Sequence, residues 1–529
     1  MKYTIYKNAL ILLISVGFVF TACNDEWDSH YQEDIYDGAE TSMMEYLEAN
    51  SDLSTFTSLV KQTGYDDILN TPQVFTVWAP NNEALAGIDV NDELFVENLV
   101  KNHITRGRIG TSGISLDAIK MQSGKNIDFE TNGGGYMFGD ANLTQQNVPL
   151  NNGLVHKLDG YAPYLYNIKE YIGETEGFDS LKNYIFGKDN YEFDPINSAE
   201  IDIDENGQVV YDSVFIYTNE ILSWIGEIYK EDSVYTAILP TNTAWQEAYD
   251  RIKPYFNLPI DLGSEKYADE YTKNRIVENM TFMGKIDNPA QYDSIQSRAW
   301  YYTPYSVPNS YASTTIKKFF NVEDLFANKE QVELSNGLVY IADQMPFLDS
   351  VFYKKIQLEA EYSDSRENSN SEVYYRSSYE SDLDISNNYY LYVEPISTSA
   401  KPSVTFMLND ILSASYDISC VFVPESIAGD TLETKVSFVL TYINSETGRV
   451  RRQRVTPEDN VVKADGLTKM HALRWDFEWA NVRNTYENME LPVQLEVINE
   501  VSDAEASDPE LKLTRRMRID CIMLEPVTE

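Results

Sequence analysis

Residues Val74-Phe75-Thr76-Val77-Trp78 are β-branched or aromatic throughout, the composition of a buried strand. Pro80 cannot donate to a ladder, so the strand ends in Ala79-Pro80-Asn81-Asn82. Asn81 or Asn82 is then placed to cap a helix, with Glu83 in its first turn. The same pattern returns at residues 234–245, where Leu239-Pro240-Thr241-Asn242 takes the place of Ala79-Pro80-Asn81-Asn82. Each copy has a later companion, Asn152-Gly153-Leu154-Val155-His156 in the first and Asn336-Gly337-Leu338-Val339-Tyr340 in the second. Asn-Gly is a tight-turn pair that feeds another apolar strand. Between them, Leu99-Val100-Lys101-Asn102-His103-Ile104-Thr105 matches Ile276-Val277-Glu278-Asn279-Met280-Thr281-Phe282. Three boxes in the same order make an internal repeat, with a period longer than that of small solenoid units.

Other stretches show one period or the other. Met44, Leu47, Leu53, Phe56 and Leu59 recur at helical spacing over residues 41–59, and Thr63-Gly64 ends that helix. Residues 222–228 and 245–256 also read as helical. Gly133-Gly134-Gly135 lacks the following Lys-Ser/Thr of a phosphate loop and reads as a hairpin tip. Ile201, Ile203, Val209 and Tyr211 alternate around Glu205-Asn206-Gly207, the pattern of a hairpin turn. Asp202 could open a calcium loop, but the twelfth position is Ser213 where that loop needs a bidentate Glu. From residue 349 onward the chain is almost all alternating. Val436, Phe438, Leu440 and Tyr442 share one face; Val493, Leu495 and Val497 another; Met517, Ile519, Cys521 and Met523 a third. Joined by turns such as residues 444–448, such strands predict an antiparallel β-sandwich.

The repeated boxes resemble the fasciclin domain, a family with a TVFAPTNEAF-like first box, a histidine-centred middle box and an NGVIHVID-like second box. Residues 75–85, His103 and 152–159 match closely; residues 238–245 and 336–343 match more loosely, with Met280 where the first copy has His103. The second copy also has a longer connection between its first two boxes. The resemblance implies α+β wedges used for adhesion or ligand binding and not for chemistry. Adhesion proteins of that family use a Tyr-His pair in the middle box. Here the pair is Asn102-His103, then Asn279-Met280, so that partner is not carried over. Farther on, Tyr416-Asp417-Ile418-Ser419-Cys420-Val421-Phe422-Val423-Pro424 and residues 518–526 resemble carbohydrate-binding sandwich modules, from which no ligand residues are carried over.

Charge and the N-terminus narrow the setting. A formal charge of −43, from 84 acidic against 41 basic residues, argues against nucleic acid or an anionic lipid surface as partner. Lys2 and Lys7 precede an apolar run, residues 9–20, too short to span a bilayer. The run ends in Phe20-Thr21-Ala22-Cys23, which resembles a bacterial lipobox and implies lipid attachment at Cys23. Asn24-Asp25-Glu26-Trp27-Asp28 resembles the acidic export signal of surface lipoproteins in glycan-foraging gut bacteria. The expected setting is therefore the outer membrane, lipid-anchored and facing outward.

Catalytic signatures are missing. The four histidines form neither HExxH nor a paired metal spacing, and there is no G-x-S-x-G elbow, P-loop or dinucleotide fingerprint. His103 and His156 fall inside the boxes, where buried hydrogen-bonded roles are expected. With 84 acidic residues, a pair of glycosidase carboxylates is not excluded by sequence alone. Cys420 and Cys521 each sit on an alternating apolar face; two buried thiols are the default, and a disulfide remains open. Aromatic residues reach 13%, including 38 tyrosines. Trp300, Tyr301, Tyr302 and Tyr305 cluster beside Pro304, suiting an aromatic platform for sugar C–H faces or a half-buried strand.

The expected fold class is α+β, two fasciclin-like wedges followed by an all-β antiparallel sandwich. The expected segments are a signal peptide (1–22), a tether (23–37), two fasciclin-like domains (38–166 and 167–348) and the sandwich (349–529). The expected work is non-catalytic capture of extracellular polysaccharide or oligosaccharide, with no cofactor or metal, in support of a TonB-dependent importer and its lipoprotein lid. The alternative is an adhesin or assembly protein with a protein partner. Candidate ligand contacts are Trp300, Tyr301, Tyr302, Tyr305, Tyr374, Tyr375, Trp475 and Trp479, and the candidate lipidation site is Cys23.

Overall fold

The computed structural model describes residues 39–203, 209–212, 214–258, 264–298, 318–346, 353–363, 366–481 and 493–527. Two compact units emerge. The first is Met1–Asn167 with Lys230–Asp232 and Leu334–Asn336, and the second takes the rest of the chain. Cys23 and the whole N-terminal segment lie outside the described residues, as do Trp300, Tyr301, Tyr302, Tyr305 and the turn Glu205-Asn206-Gly207.

In the first unit the helical stretch is broken. Helices Met43–Ala49 and Ser54–Gln62 flank a short turn of 3-10 helix, because Asn50 adopts an extended conformation between them. Ser42 and Glu45 close a capping box on the first helix. All five spaced apolar residues, Met44, Leu47, Leu53, Phe56 and Leu59, are nevertheless buried. The sheet is seven-stranded: β1 (Phe75–Pro80), β2 (Ile104–Arg106), β3 (Leu116–Lys120), β4 (Asn126–Asn132), β5 (Gly135–Phe138), β6 (Ala141–Leu150) and β7 (Gly153–Leu158), ordered β2-β1-β7-β6-β5-β4-β3. Only β1 and β7 pair parallel. Asn132 pairs with Gly135 across Gly133-Gly134, both at positive φ, which is the glycine hairpin tip expected from sequence.

One expectation fails here. No helix follows Pro80; residues 82–87 form turns and the next helix is Glu93–Lys101. Asn81 accepts from the Ala84 N–H at 2.8 Å, closing a turn. Asn82 instead accepts from the Thr55 N–H at 2.9 Å, serving the helix Ser54–Gln62. In the second copy a helix, Asn242–Ile252, does follow directly, capped by Thr241.

The second unit repeats the pattern. It adds hairpins β8 (Asp189–Phe193) with β11 (Phe215–Asn219) and β9 (Ala199–Ile203) with β10 (Val209–Asp212), the latter spanning the expected turn. Then come β12 (Tyr235–Pro240), β13 (Thr281–Met283), the short pair β14 (Ile295–Gln296) and β15 (Lys318–Phe319), β16 (Glu330–Leu334) and β17 (Gly337–Ala342). Its sheet is ordered β13-β12-β17-β16. Phe75 stands opposite Gly153 and Arg106 in the first unit, as Tyr235 stands opposite Gly337 and Met283 in the second.

The repeat is tighter in hydrogen bonds than in letters. Fully buried Thr76 donates its hydroxyl to the Gly107 carbonyl (2.7 Å) and accepts from the Ile109 N–H (2.8 Å). Thr236 does the same with Gly284 (2.8 Å) and Ile286 (2.8 Å). His156 Nε2 then donates to the Ile109 carbonyl at 2.9 Å, and in the second copy the Tyr340 hydroxyl donates to Ile286 at 2.7 Å. A tyrosine thus performs the histidine's bond. His103 is satisfied as well, with Nδ1 donating to Leu99 O and Nε2 accepting from Ala162 N. Burial pulls both histidines down to about 4, so they stay neutral at ordinary pH. Asn102 and His103 are both 0% exposed, so this pair offers no surface to a partner.

The remaining strands form the expected sandwich. One sheet runs β20 (Ser371–Ser377), β21 (Tyr389–Pro395), β29 (Met517–Pro526), β23 (Ser415–Phe422), β27 (Thr468–Asp476), with β18 (Ile356–Glu359) also on β29. The other runs β19 (Arg366–Ser369), β22 (Ser403–Met407), β28 (Gln494–Asn499), β24 (Thr434–Asn444), β25 (Arg449–Val455), with β26 (Val461–Val462) on β24. Leu391, Ile418, Phe422 and Ile519 from the first sheet and Phe406, Phe438, Leu440 and Val497 from the second are fully buried. Cys420 and Cys521 lie on adjacent strands but remain free buried thiols. Among the described residues no helix is long and apolar enough to cross a membrane.

Thr76→Val keeps the β-branched shape but strands the Gly107 carbonyl and the Ile109 N–H. The first unit is expected to lose about 1–3 kcal/mol, and Thr236→Val the same from the second, read as lower urea midpoints. A change within about 0.5 kcal/mol, the range of neutral surface substitutions, would contradict the role given to this hydroxyl.

Candidate functional site

Trp475 and Trp479 meet in one place. β27 ends at Trp475-Asp476 and runs into an irregular segment, residues 477–481. From the opposite sheet, β24 continues its buried face past Leu440 to Tyr442 and Asn444, because residues two apart share a face. The Tyr442 and Trp475 rings lie 4.6 Å apart, tilted by 53°. Together Tyr442, Asn444, Trp475, Asp476, Glu478 and Trp479 line a cleft of about 230 Å³. Phe477, which also lines the cleft, is buried with its ring 6.0 Å from that of Tyr416 and anchors the segment. Both tryptophans are half-buried, leaving ring surface at the opening.

The polar groups are set for hydrogen bonding. Asn444 accepts from the Thr447 N–H (3.0 Å) and hydroxyl (2.7 Å), which leaves its side-chain N–H₂ to donate. Asp476 accepts from the Ser415 hydroxyl. On neighbouring β25, Arg451 stands opposite Tyr442 and Arg449 opposite Asn444, both exposed. Two acids in the lining and two arginines alongside give the cleft mixed charge. Aromatic walls with few polar groups suit a neutral polar ring compound.

Tyr374 and Tyr375 fall elsewhere. They lie on β20, the edge of the same sheet opposite β27, and point to opposite faces. Tyr374 lies beside Tyr392, centroids 6.4 Å apart and planes within 28°. Their hydroxyls are held by Glu372 (2.7 Å) and Glu394 (3.1 Å), and the Arg376 guanidinium lies over both rings at 5.2 and 5.7 Å. Tyr375 is 70% exposed and meets Tyr389 edge-on at 6.4 Å, with Tyr379 beyond. The described candidates therefore fall on three surfaces, the Trp475–Trp479 cleft and the two faces of β20.

Sequence reasoning missed Tyr442, Asn444 and Tyr392. Tyr442 closed an alternating series and Asn444 opened a turn, but nothing local showed that β24 and β27, on different sheets, converge. A larger cleft of about 440 Å³ involves Tyr184, Lys188, Trp245, Asp269, Glu270 and Lys273. Two of its lysines are already committed: Lys188 pairs with Glu270 at 2.8 Å and Lys273 with Asp269 at 2.8 Å. Volume alone does not make it the better candidate.

A third cluster concerns cations. Among the described residues, Glu359, Asp520 and Cys521 each bring one ligand atom within 4.8 Å of the others, and all three are buried. Glu359 Oε1 accepts from Ser386 (2.7 Å) and Gln357 (3.0 Å), but its Oε2 has no hydrogen-bond partner, nor has Glu361 Oε2. Burial, reinforced by Glu359, raises Asp520 to about 7, while burial pushes the Cys521 thiol well above its usual range. The set thus brings two carboxylates, oxygen donors of the kind a hard cation such as calcium takes, beside one thiol. The expectation of no metal was set by motif spacing; these acids come from opposite ends of the sandwich sequence and share no motif.

The sequence model of the fasciclin domain matches residues 51–161, confirming that domain in the first unit. Human periostin is 23% identical over 140 residues, covering 25% of this chain and 17% of periostin. Protein sll1483 of Synechocystis sp. is 28% identical over 127 residues, covering 22% of this chain and 71% of that protein. The chain thus spans about a sixth of periostin's length. Among solved structures, a carbohydrate-binding module characterised for specific mannan recognition aligns at a TM-score of 0.18 and 12% identity, covering 32% of this chain and 96% of the module. That score is too low to equate the folds.

Calcium at about 1 mM, within the range of weak extracellular sites, is expected to raise the melting temperature of the full chain. Asp520→Asn should remove the response by withdrawing one charge from the set. Melting curves that overlay with calcium and with EGTA would show that the cluster holds protons only.

Proposed function

We propose that this chain is a non-catalytic binding protein that captures extracellular polysaccharide through the Trp475–Trp479–Tyr442 cleft. One observation carries the reading: two tryptophans singled out from sequence for sugar contact line a single aromatic cleft with Asn444, Asp476 and Glu478. Flat rings pair with the C–H faces of a pyranose, while amide and carboxylate groups take its hydroxyls. The fasciclin domain supports binding over catalysis. Its two histidines are buried, neutral and fully hydrogen-bonded, which suits a structural role.

We infer further that the protein is displayed at the cell surface through a lipid on Cys23. There it would pass glycan to a TonB-dependent importer and its lipoprotein lid. The lipobox-like Phe20-Thr21-Ala22-Cys23 and the acidic residues after it support this setting. Adhesion to a protein partner is the second reading. It is favoured by the β8–β11 pair, where Tyr191 (63%), Phe193 (40%) and Phe215 (54%) are exposed on one face. Importer and glycosidase genes beside this one would favour glycan capture, and pilus genes adhesion.

Affinity electrophoresis of the soluble chain lacking Cys23, through gels of xylan, galactomannan, dextran and hydroxyethylcellulose, tests the cleft. At least one gel is expected to retard the wild-type protein. Trp475→Ala or Trp479→Ala should weaken retardation about tenfold or more, since one ring–sugar contact is of the order of other desolvated aromatic contacts. Equal retardation of wild type and both variants would move binding away from the cleft.

A further inference from the structure

The segment that carries Trp479 is irregular, so its backbone polar groups need partners outside a ladder. Two of them find those partners in the fasciclin-like part of the same unit. Asn257 Nδ2 donates to the Glu478 carbonyl at 2.7 Å, and the Asn257 carbonyl accepts from the Ala480 N–H at 2.8 Å. Trp479 sits between these two tethered residues. The Asn257 carbonyl also accepts from the Ser413 hydroxyl at 3.1 Å, and the Tyr255 carbonyl accepts from the Ser413 N–H at 2.8 Å. The 411–414 loop is bonded in turn to the cleft segment: Ile411 and Asn481 exchange backbone hydrogen bonds (3.2 and 2.7 Å), and the Phe477 N–H donates to Ala414 at 3.0 Å.

Asn257 is itself well fixed. The preceding Phe256 is 2% exposed and stacks on Tyr271 at 5.6 Å and 19°, and Leu258 is 4% exposed. Phe256 closes the short 3-10 turn Lys253–Phe256 that continues the helix Asn242–Ile252. A rigid helix end therefore presents one asparagine to a loop that the sandwich alone leaves under-bonded. Asparagine suits the place because it offers a donor and its own carbonyl together, whereas an aspartate could not donate to Glu478 O.

We propose that Asn257 is a positioning residue for the aromatic cleft: by holding the backbone on both sides of Trp479, it sets the outer wall of the cleft. The second fasciclin-like segment then acts as the frame of the sandwich's binding site. As a deepening of the glycan-capture reading, this rests on that reading for its consequence in binding; the geometry at Trp479 can be tested without any ligand.

The test uses the soluble full chain labelled with 5-fluorotryptophan, the Trp479 resonance being assigned by its loss in Trp479→Phe. Asn257→Ala should shift or broaden that resonance while leaving those of Trp78 and Trp224, in other parts of the cores, unchanged. Asn257→Ser, which keeps the fold with a shorter polar side chain, should do the same and serves if Asn257→Ala does not fold. Lys253→Ala, which breaks an exposed ion pair with Glu265 and a cation–ring contact with Tyr249 but no bond to the loop, should leave the Trp479 resonance in place. In the xylan, galactomannan, dextran and hydroxyethylcellulose gels, Asn257→Ala should weaken retardation about fivefold, the value of one hydrogen bond. An unmoved Trp479 resonance in both Asn257 variants overturns the proposal. If Asn257→Ala moves the resonance but wild type is not retarded by any gel, the positioning holds and the glycan reading fails. If Trp475→Ala abolishes retardation while Asn257→Ala leaves it intact, the positioning has no role in binding.

Discussion

The chain depends on a parallel contact between the first and last strands of each repeat. β1 and β7, like β12 and β17, are far apart in sequence, and a parallel pair cannot be closed by a hairpin. The closure is tight. At Gly153 a Cβ would fall 1.9 Å from the Phe75 carbonyl oxygen, and at Gly337 1.8 Å from that of Tyr235, with both glycines at positive φ. Only a residue without a side chain admits the neighbouring strand there. The threonine hydroxyl on β1, and on β12 in the second copy, then fastens the chain that leaves the middle box. Repetition of both features shows that the two copies share a mechanism of closure, although the second has lost the histidines.

Closure at that seam has a consequence for the site. The second fasciclin-like segment and the sandwich belong to one compact unit. Its helix Asn242–Ile252 starts directly after β12, and the end of that helix delivers Asn257 to the loop bearing Trp479. The repeated frame thus holds the loop that carries Trp479 through Asn257. Buried charges serve the sandwich differently: Glu425 joins Arg518 (3.1 Å) and Arg516 (3.2 Å), while Glu359 and Asp520 lie in one cluster with no positive residue among the described ones bonded to either.

Much of this was legible in the residues. The strand–Pro–Asn boxes, the Asn-Gly companions and the alternating C-terminal third gave the α+β class and the sandwich, because each signal is local. The Gly107-Arg108-Ile109 and Gly284-Lys285-Ile286 motifs were overlooked: three letters of repeat mean little until Thr76 and Thr236 are seen to bond them. The helix after Pro80 was expected from Asn81 and Asn82, but Asn82 found a tertiary partner in Thr55 and its capping capacity went there. Trp475 and Trp479 could be chosen from sequence as aromatics of the last domain suited to sugar contact. Tyr442, Asn444 and Asn257 could not, since their roles arise from contacts between segments more than thirty residues apart.

The claim that this cleft is the protein's working surface is tested most directly on a printed glycan array, comparing the soluble wild-type chain with a Trp475→Ala/Trp479→Ala double variant of unchanged melting temperature. The account predicts that wild type marks one family of related glycans and that the double variant leaves the same spots dark. Equal signals from the two proteins, or a blank array for wild type, would contradict it.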